Sequence, residues 1–240
     1  MIIHQVYGLF RDDKPMNKLF LRSNKMWEKY AQENGYTYKL WCADECDELV
    51  NTYSDIKKYY HSVRHNIMKC DIIRYLILYQ FGGMYVDLDV MPNKNVIKID
   101  PEKFTLCNYV NKNTDFDIEI IVSQKYNIDL YNFLLYIPKQ IEEKNNIDIY
   151  TNWKVRYVFQ TTGPRSFIRF CKENDIKYDT IPTYHLSEDE RLDEIDLEKY
   201  AQYDCLSYYS LSYMVGKPMR PYQNKEGDRA KSFKNLITYK

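Results

Sequence analysis

Residues 81–90, FGGMYVDLDV, constrain this chain more than any other stretch. A Gly-Gly pair followed by alternating apolar residues predicts a turn that feeds a strand over residues 84–90. Side chains alternate along a strand, so Asp87 and Asp89 are expected on one face, about 6–7 Å apart at roughly 3.3 Å per residue. Met84, Val86, Leu88 and Val90 form the opposite, apolar face. Two carboxylates crowded at the end of a buried strand repel each other and lose hydration. A hard divalent cation, Mn²⁺ or Mg²⁺, relieves both penalties, and it can bridge the protein to a phosphorylated substrate. An Asp-x-Asp in a polar loop means little. This one follows a hydrophobic run.

The preceding residues, 61–81, read as a helix ended by Gly82. From Ile72 to Phe81 only Arg74 and Gln80 are strongly polar, so that half is expected to be buried nearly all round. Asp71 and Arg74, at i and i+3, share a face. A charged arginine in an apolar helix must find a partner, because burying it alone is costly. The expected picture is a charged patch, Asp71 and Arg74, facing the pocket that Asp87 and Asp89 line.

Residues 69–90, KCDIIRYLILYQFGGMYVDLDV, resemble the signature of the DXD sugar-binding glycosyltransferases. The likeness is to glycosyltransferase family 32, the yeast-type initiating mannosyltransferases with their bacterial and viral relatives, and to the catalytic domain of the large clostridial glucosylating toxins. Residues 2–8, IIHQVYG, are similar to that family's opening strand, with Tyr7 where a Trp is usual. Residues 161–164, TTGP, resemble a block that opens a later helix. The family's C-terminal His and Ser-Trp pattern is not intact, and its nearest match is Asp228 with Ser232 and Phe233.

The resemblance implies an α/β fold: one GT-A-like nucleotide-sugar-binding domain over residues 1–240, with a mixed central sheet flanked by helices. It implies metal-dependent transfer of a hexose from a UDP- or GDP-sugar to a glycan, lipid, protein or small-molecule acceptor, with retention of configuration. Asp89 would bind Mn²⁺ or Mg²⁺ directly, and Asp87 would touch the metal shell and the donor ribose or sugar. Asp71 and Arg74 would hold sugar hydroxyls, Tyr7 would stack on the base, and Tyr85 would join the donor site beside Asp87. Catalysis would rest on Asp87, Asp89 and Arg74, with Asp228 and Ser232 as further metal ligands. Two other readings stay open. A metal-dependent phosphatase or phosphotransferase also carries an Asp-x-Asp at a strand end, and a sugar-binding module could have lost catalysis.

At 240 residues the chain can bury one sizeable core. Its 34 basic and 34 acidic residues balance, so no general affinity for nucleic acid is implied. No apolar run reaches the roughly 20 residues of a membrane span, and the first residues lack a basic leader. Cys42, Cys46, Cys70, Cys107, Cys171 and Cys205 are scattered, unlike a disulfide framework. The expectation is a soluble chain with free thiols in the cytoplasm or another reducing compartment. Cys42, Cys46, His61 and His65 approximate a zinc-finger spacing, but an acidic linker and a larger surrounding unit argue against zinc. His4 is expected to be structural and His185 to lie in a loop.

Strands are expected at residues 2–6, 36–42, 104–110, 118–123 and 177–182, and helices at 16–34, 44–60, 129–144, 164–174 and 187–200. Residues 153–161 fit no single pattern. The segment 217–240 carries seven basic residues against two acidic ones, and it is expected to form a lid that closes over a diphosphate.

Overall fold

A computed structural model describes residues 1–10, 16, 18–112, 116–145, 154–186 and 197–208. Strand β1 (Ile2–Val6) runs through the middle of the first sheet region. Helix α1 (Lys18–Glu33) packs Leu19, Phe20, Ser23, Trp27, Tyr30 and Ala31 inward, the stripe of an amphipathic helix. Strand β2 (Thr37–Trp41) then pairs parallel to β1. The helix expected over 44–60 is two helices, α2 (Ala43–Asn51) and α3 (Ser54–Tyr60). The Thr52 and Tyr53 amides bond back to the Leu49 and Val50 carbonyls and close α2. The extended backbone of Tyr53 restarts the chain as α3.

Helix α4 (Ile67–Phe81) starts later than residue 61, because 61–66 form turns after α3. Every residue from Asp71 to Leu78 is buried, as expected for a helix that is hydrophobic all round. Gly82 and Gly83 follow with φ of +65° and +96°. A Cβ on Gly83 would lie 2.3 Å from the Ile2 carbonyl oxygen. Gly83→Ala is therefore expected to cost roughly 3 kcal/mol or more, from the disfavoured backbone and the clash together. Gly35, at φ +69° with open space around it, should lose only about 1 kcal/mol on the same change. Urea midpoints of the two variants test the contrast, and equal losses would refute it.

Strand β3 (Gly83–Val86) ends before Asp87, and β4 (Val90–Pro92) follows a turn closed by Val90 N–H on the Asp87 carbonyl at 3.2 Å. The single strand expected over 84–90 is thus two strands. The remaining elements are β5 (Thr105–Tyr109), β6 (Asp117–Ser123), α5 (Ile128–Asn145), α6 (Lys154–Thr161), α7 (Pro164–Glu173), β7 (Asp179–His185), a 3₁₀ turn (Leu197–Tyr200) and β8 (Cys205–Ser207). Pro138 sits inside α5 without ending it. Pro164 opens α7, where its missing N–H costs nothing.

The eight strands form one sheet in the order β2-β1-β3-β6-β5-β7-β8-β4. Strand β3 pairs with β6, while β4 pairs with β8 at the far end. A flat sheet would separate positions three and eight by about 24 Å at 4.8 Å per strand. Only residues 87–89 join the two strands, and four residue steps reach about 14 Å at most. The sheet must therefore curl, and the Asp-x-Asp turn closes the curl. A single strand could not serve both ladders, which is why it breaks. The main core lies between the sheet and α4, α5 and α7, and a smaller one lies under α1. Leu88 leaves the face expected for it and packs with Leu19, Phe20, Leu206 and Tyr208.

Candidate active site

Strands β2, β1 and β3 are parallel, and their carboxyl ends lie on one edge of the sheet. Strand β6 begins at that edge, while β5, β7 and β8 end there. Open α/β sheets bind ligands outside strand carboxyl ends. Here that edge carries Tyr7 after β1, Asp87 after β3, Asp117 and Glu119 in β6, Tyr109, His185, Ser207, and Asp89 before β4.

Arg74 is the hub. Its Nη1 donates to Asp87 Oδ2 at 3.1 Å and to the Ile118 carbonyl at 2.8 Å. Its Nη2 lies 3.2 Å from Asp71 Oδ1, and its guanidinium carbon sits 4.9 Å from the Tyr85 ring centroid. The second oxygen of each acid is also engaged. Tyr85 donates its hydroxyl to Asp87 Oδ1 at 3.0 Å, and Thr162 donates to Asp71 Oδ2 at 2.7 Å. The TTGP block therefore supplies a hydroxyl to the Asp71 carboxylate, and its Gly163 is the N-cap of α7.

The opening strand serves the turn. Gln5 Nε2 donates to the Asp87 carbonyl at 3.3 Å and to Ser23 Oγ at 3.2 Å. Ser23 and Trp27 donate to the Val90 carbonyl at 2.6 and 2.9 Å. Trp41 Nε1 donates to His4 Nδ1, which leaves Nε2–H to donate to the Gly82 carbonyl at 2.9 Å. Burial holds the His4 pKa down to about 4. His4 is thus a neutral prop under the Gly-Gly turn, the structural role expected of it. His185 is not in a loop: it ends β7, buried, with its ring 4.9 Å from that of Tyr109.

The structure brings Asp71, Arg74, Tyr85 and Asp87 into contact. It places Asp89 at the same edge, 6 % exposed, with its carbonyl accepting from Tyr208 N–H at 3.0 Å. Asp87 and Asp89 do not share a strand face: Asp87 follows the end of β3 and Asp89 precedes β4. Tyr7 is half-buried beside the Leu88–Leu206 cluster. Asp228, Ser232 and the 217–240 segment lie outside the described residues, as does most of the helix expected over 187–200. Cys42 and Cys46 flank the start of α2, His61 caps α3, and His65 packs against Tyr157.

Sequence reasoning passed over Asp117 and Glu119. Glu119 takes the hydroxyls of Ser207 and Tyr109, and its carbonyl accepts Asp87 N–H at 2.8 Å. The signal was present: two acids at i and i+2 in an otherwise apolar strand, DIEIIVS, point a carboxylate pair to one face.

These acids outnumber the cations near them. Burial opposes the charge on Arg74, but Asp87, Tyr85 and Asp71 outweigh it and raise its pKa. Burial pushes Asp71 and Asp87 up to about 6 against the pull of Arg74, with Glu119 adding to the rise of Asp87. Asp117 rises to about 8, from burial first and the like charge of Glu119 second. Unfolded aspartates ionise near 3.9 and unfolded histidines near 6.5, so between about pH 9 and 7.5 the proton that Asp117 takes up is gained by the native chain alone. Its stability is expected to rise on acidification across that window, by on the order of 1 kcal/mol per pH unit per proton. Below about 7.5, His4 and His65, both held near 4 in the native chain, begin to protonate on unfolding only and oppose the trend. Asp117→Asn should flatten the slope between about pH 9 and 7.5. An unchanged slope in denaturant titrations would refute the assignment.

Residues 17–106 match the family described as glycosyltransferase sugar-binding region containing DXD motif. Inositol phosphoceramide mannosyltransferase 1 of Schizosaccharomyces pombe is 34% identical over 90 residues, covering 37% of this chain and 27% of the relative. The initiation-specific alpha-1,6-mannosyltransferase of Candida albicans is 33% identical over 98 residues, covering 39% of this chain and 25% of the relative. The chain thus spans about a quarter of the length of these relatives. A solved structure titled PaToxG Glycosyltransferase superposes with a TM-score of 0.51 at 16% identity, over 72% of this chain and 69% of that one. The fold is the GT-A type expected from the sequence, and the resemblance read from residues 69–90 falls inside the matched family region. No helix among the described residues is long and apolar enough to cross a membrane.

Proposed function

We propose that this domain transfers a hexose from a nucleotide-sugar donor, a UDP- or GDP-sugar, to an acceptor, with Mn²⁺ or Mg²⁺ as cofactor and retention of configuration. The observation that carries this reading is the excess of buried and half-buried carboxylates near one guanidinium at the carboxyl edge of a GT-A-type sheet. Asp71 and Asp87 pair with Arg74, Asp117 and Glu119 stand close enough to feel its charge, and all four acids have raised pKa values. Such a site lacks positive charge, and a divalent cation fits that deficit. Among the described residues no group of three or more His, Cys, Asp or Glu side chains is placed to hold a metal ion. A Mg²⁺-like ion would take one or two carboxylates and complete its shell with waters and substrate phosphates.

Asp89 would hold the metal, with Asp87 in its outer shell, because both Asp87 oxygens already accept from Arg74 and Tyr85. When bound, the metal would stabilise the charge that develops on the departing diphosphate. The protein's own groups orient the donor. Tyr7 offers a ring at the end of β1 for the base. Asp71 and Arg74 set one wall of the sugar pocket, with Asp71 fixed by Thr162. Engagement of both Asp87 oxygens disfavours the phosphatase reading, in which the first aspartate is the attacking group. The names of the relatives make mannose the first hexose to try, and lipid and glycan the first acceptor classes.

Calorimetric titration of UDP- and GDP-sugars with Mn²⁺, and again with chelator, tests the proposal. Donor binding should appear with metal and vanish without it. Equal affinity in the two conditions would overturn it.

A further inference from the structure

We infer that Glu119 and Ser207 form a side-chain brace that positions Asp87 and Asp89 relative to each other. The inference rests on the metal-dependent donor binding proposed above. It begins with a closed circuit of contacts around the turn. Asp87 N–H bonds to the Glu119 carbonyl at 2.8 Å, which continues the β3–β6 ladder. Ser207 stands opposite Val90 in the β4–β8 ladder, and Tyr208 N–H bonds to the Asp89 carbonyl at 3.0 Å. Val90 N–H returns to the Asp87 carbonyl at 3.2 Å. The circuit is closed by the Ser207 hydroxyl, which donates to Glu119 Oε2.

Three of these links are backbone, and their positions follow from the ladders. The fourth is made by side chains, and it crosses the curl. Strands β6 and β8 are not neighbours in the sheet, since β5 and β7 stand between them. The β6–β5, β5–β7 and β7–β8 ladders join the β3–β6 pair, which leads into Asp87, to the β8–β4 pair, which follows Asp89, the long way round the curl, with a register shift between Leu106 and Cys107 on the path. The Glu119–Ser207 bond joins the two pairs directly across it. Ser207 is fully buried, and the Tyr109 hydroxyl lies 3.5 Å from its Oγ, so the hydroxyl cannot swing to water. A charge-assisted bond to a carboxylate is short and directional, which suits a spacer. Asp117, two residues earlier, stays outside the circuit, with its Oδ1 on Ile118 N–H.

Glu119 is on this account a positioning residue. In the brace the working property is its acceptor oxygen. Glu119→Gln keeps an acceptor for Ser207, and Glu119→Ala and Ser207→Ala each break the bond. Mn²⁺ is titrated into each protein by calorimetry in the presence of UDP, and separately GDP, with unfolding midpoints recorded alongside. Outer-shell partners of metal ligands typically change metal affinity 10–100-fold when removed. The expected result is a loss of about that size in Glu119→Ala and in Ser207→Ala. The double variant should be no weaker than either single one, since both remove the same bond, and Glu119→Gln should lose clearly less than Glu119→Ala. Ser207→Ala removes one hydroxyl only, and it carries the test should Glu119→Ala fail to fold.

Wild-type affinity in Ser207→Ala would overturn the brace. So would a Glu119→Gln loss as deep as that of Glu119→Ala, which would make the charge of Glu119 the working property. A wild-type protein with no metal-dependent nucleotide binding would overturn the functional reading, and the brace with it.

Discussion

Arg74→Ala is expected to lower stability by about 3–5 kcal/mol, the usual loss when one member of a buried ion network is removed. The change strands two acids at once. Asp71 and Asp87, each buried or half-buried, lose the one guanidinium that spans them. The Ile118 carbonyl loses its partner as well. Arg74→Lys should fall between wild type and alanine. A lysine keeps the charge, but its single ammonium cannot fork to both carboxylates while stacking on Tyr85. Under the proposed function transfer should be lost in both variants, since this fork would set the wall of the donor site. Urea denaturation with parallel donor-binding measurements checks the result. A midpoint unchanged in Arg74→Ala would show that the network contributes little.

Asp89→Asn is expected to do the opposite to stability while abolishing turnover. The variant keeps the shape of the turn and removes one carboxylate from a site already short of positive charge. Its melting temperature should hold or rise in metal-free buffer. Turnover should fall by at least about 10²–10³-fold, the scale seen when one preorganised electrostatic group is removed from an active site. The stabilisation that Mn²⁺ and donor lend the wild type should shrink in step, because ligands of the native state raise apparent stability in proportion to their affinity. Near-wild-type turnover would overturn the proposed role of Asp89 as a metal ligand.

Much of the site was legible in the chain because it is local. Asp71 and Arg74 are three residues apart on one helix, and helical spacing alone puts them on one face. An arginine in an apolar run must be paired, and the pairing with Asp87 follows from the short path through Gly82 and Gly83. Those glycines announce the turn because no other residue accepts the backbone there; the carbonyl of Ile2 leaves no space at Gly83 for a Cβ. The order of helices and strands was also readable from periodicity, with errors mainly where an element broke or shifted, as at Thr52 and at Asp87.

The break at Asp87 marks what the sequence by itself could not decide. Alternation over residues 84–90 determined which residues were apolar and which were acidic, and it predicted one strand. Two neighbours that are remote in sequence, β6 and β8, each claim part of that segment by hydrogen bonds. Pairing of this kind depends on how the whole sheet closes, and no local pattern encodes it. Glu119 and Ser207 went unnoticed for the same reason: they are 88 positions apart in the chain and meet only because the sheet curls. The sequence determined the chemistry available at the edge, a set of carboxylates with one arginine. The tertiary structure decided which of them touch, because only closure of the sheet brings its distant strands to one place.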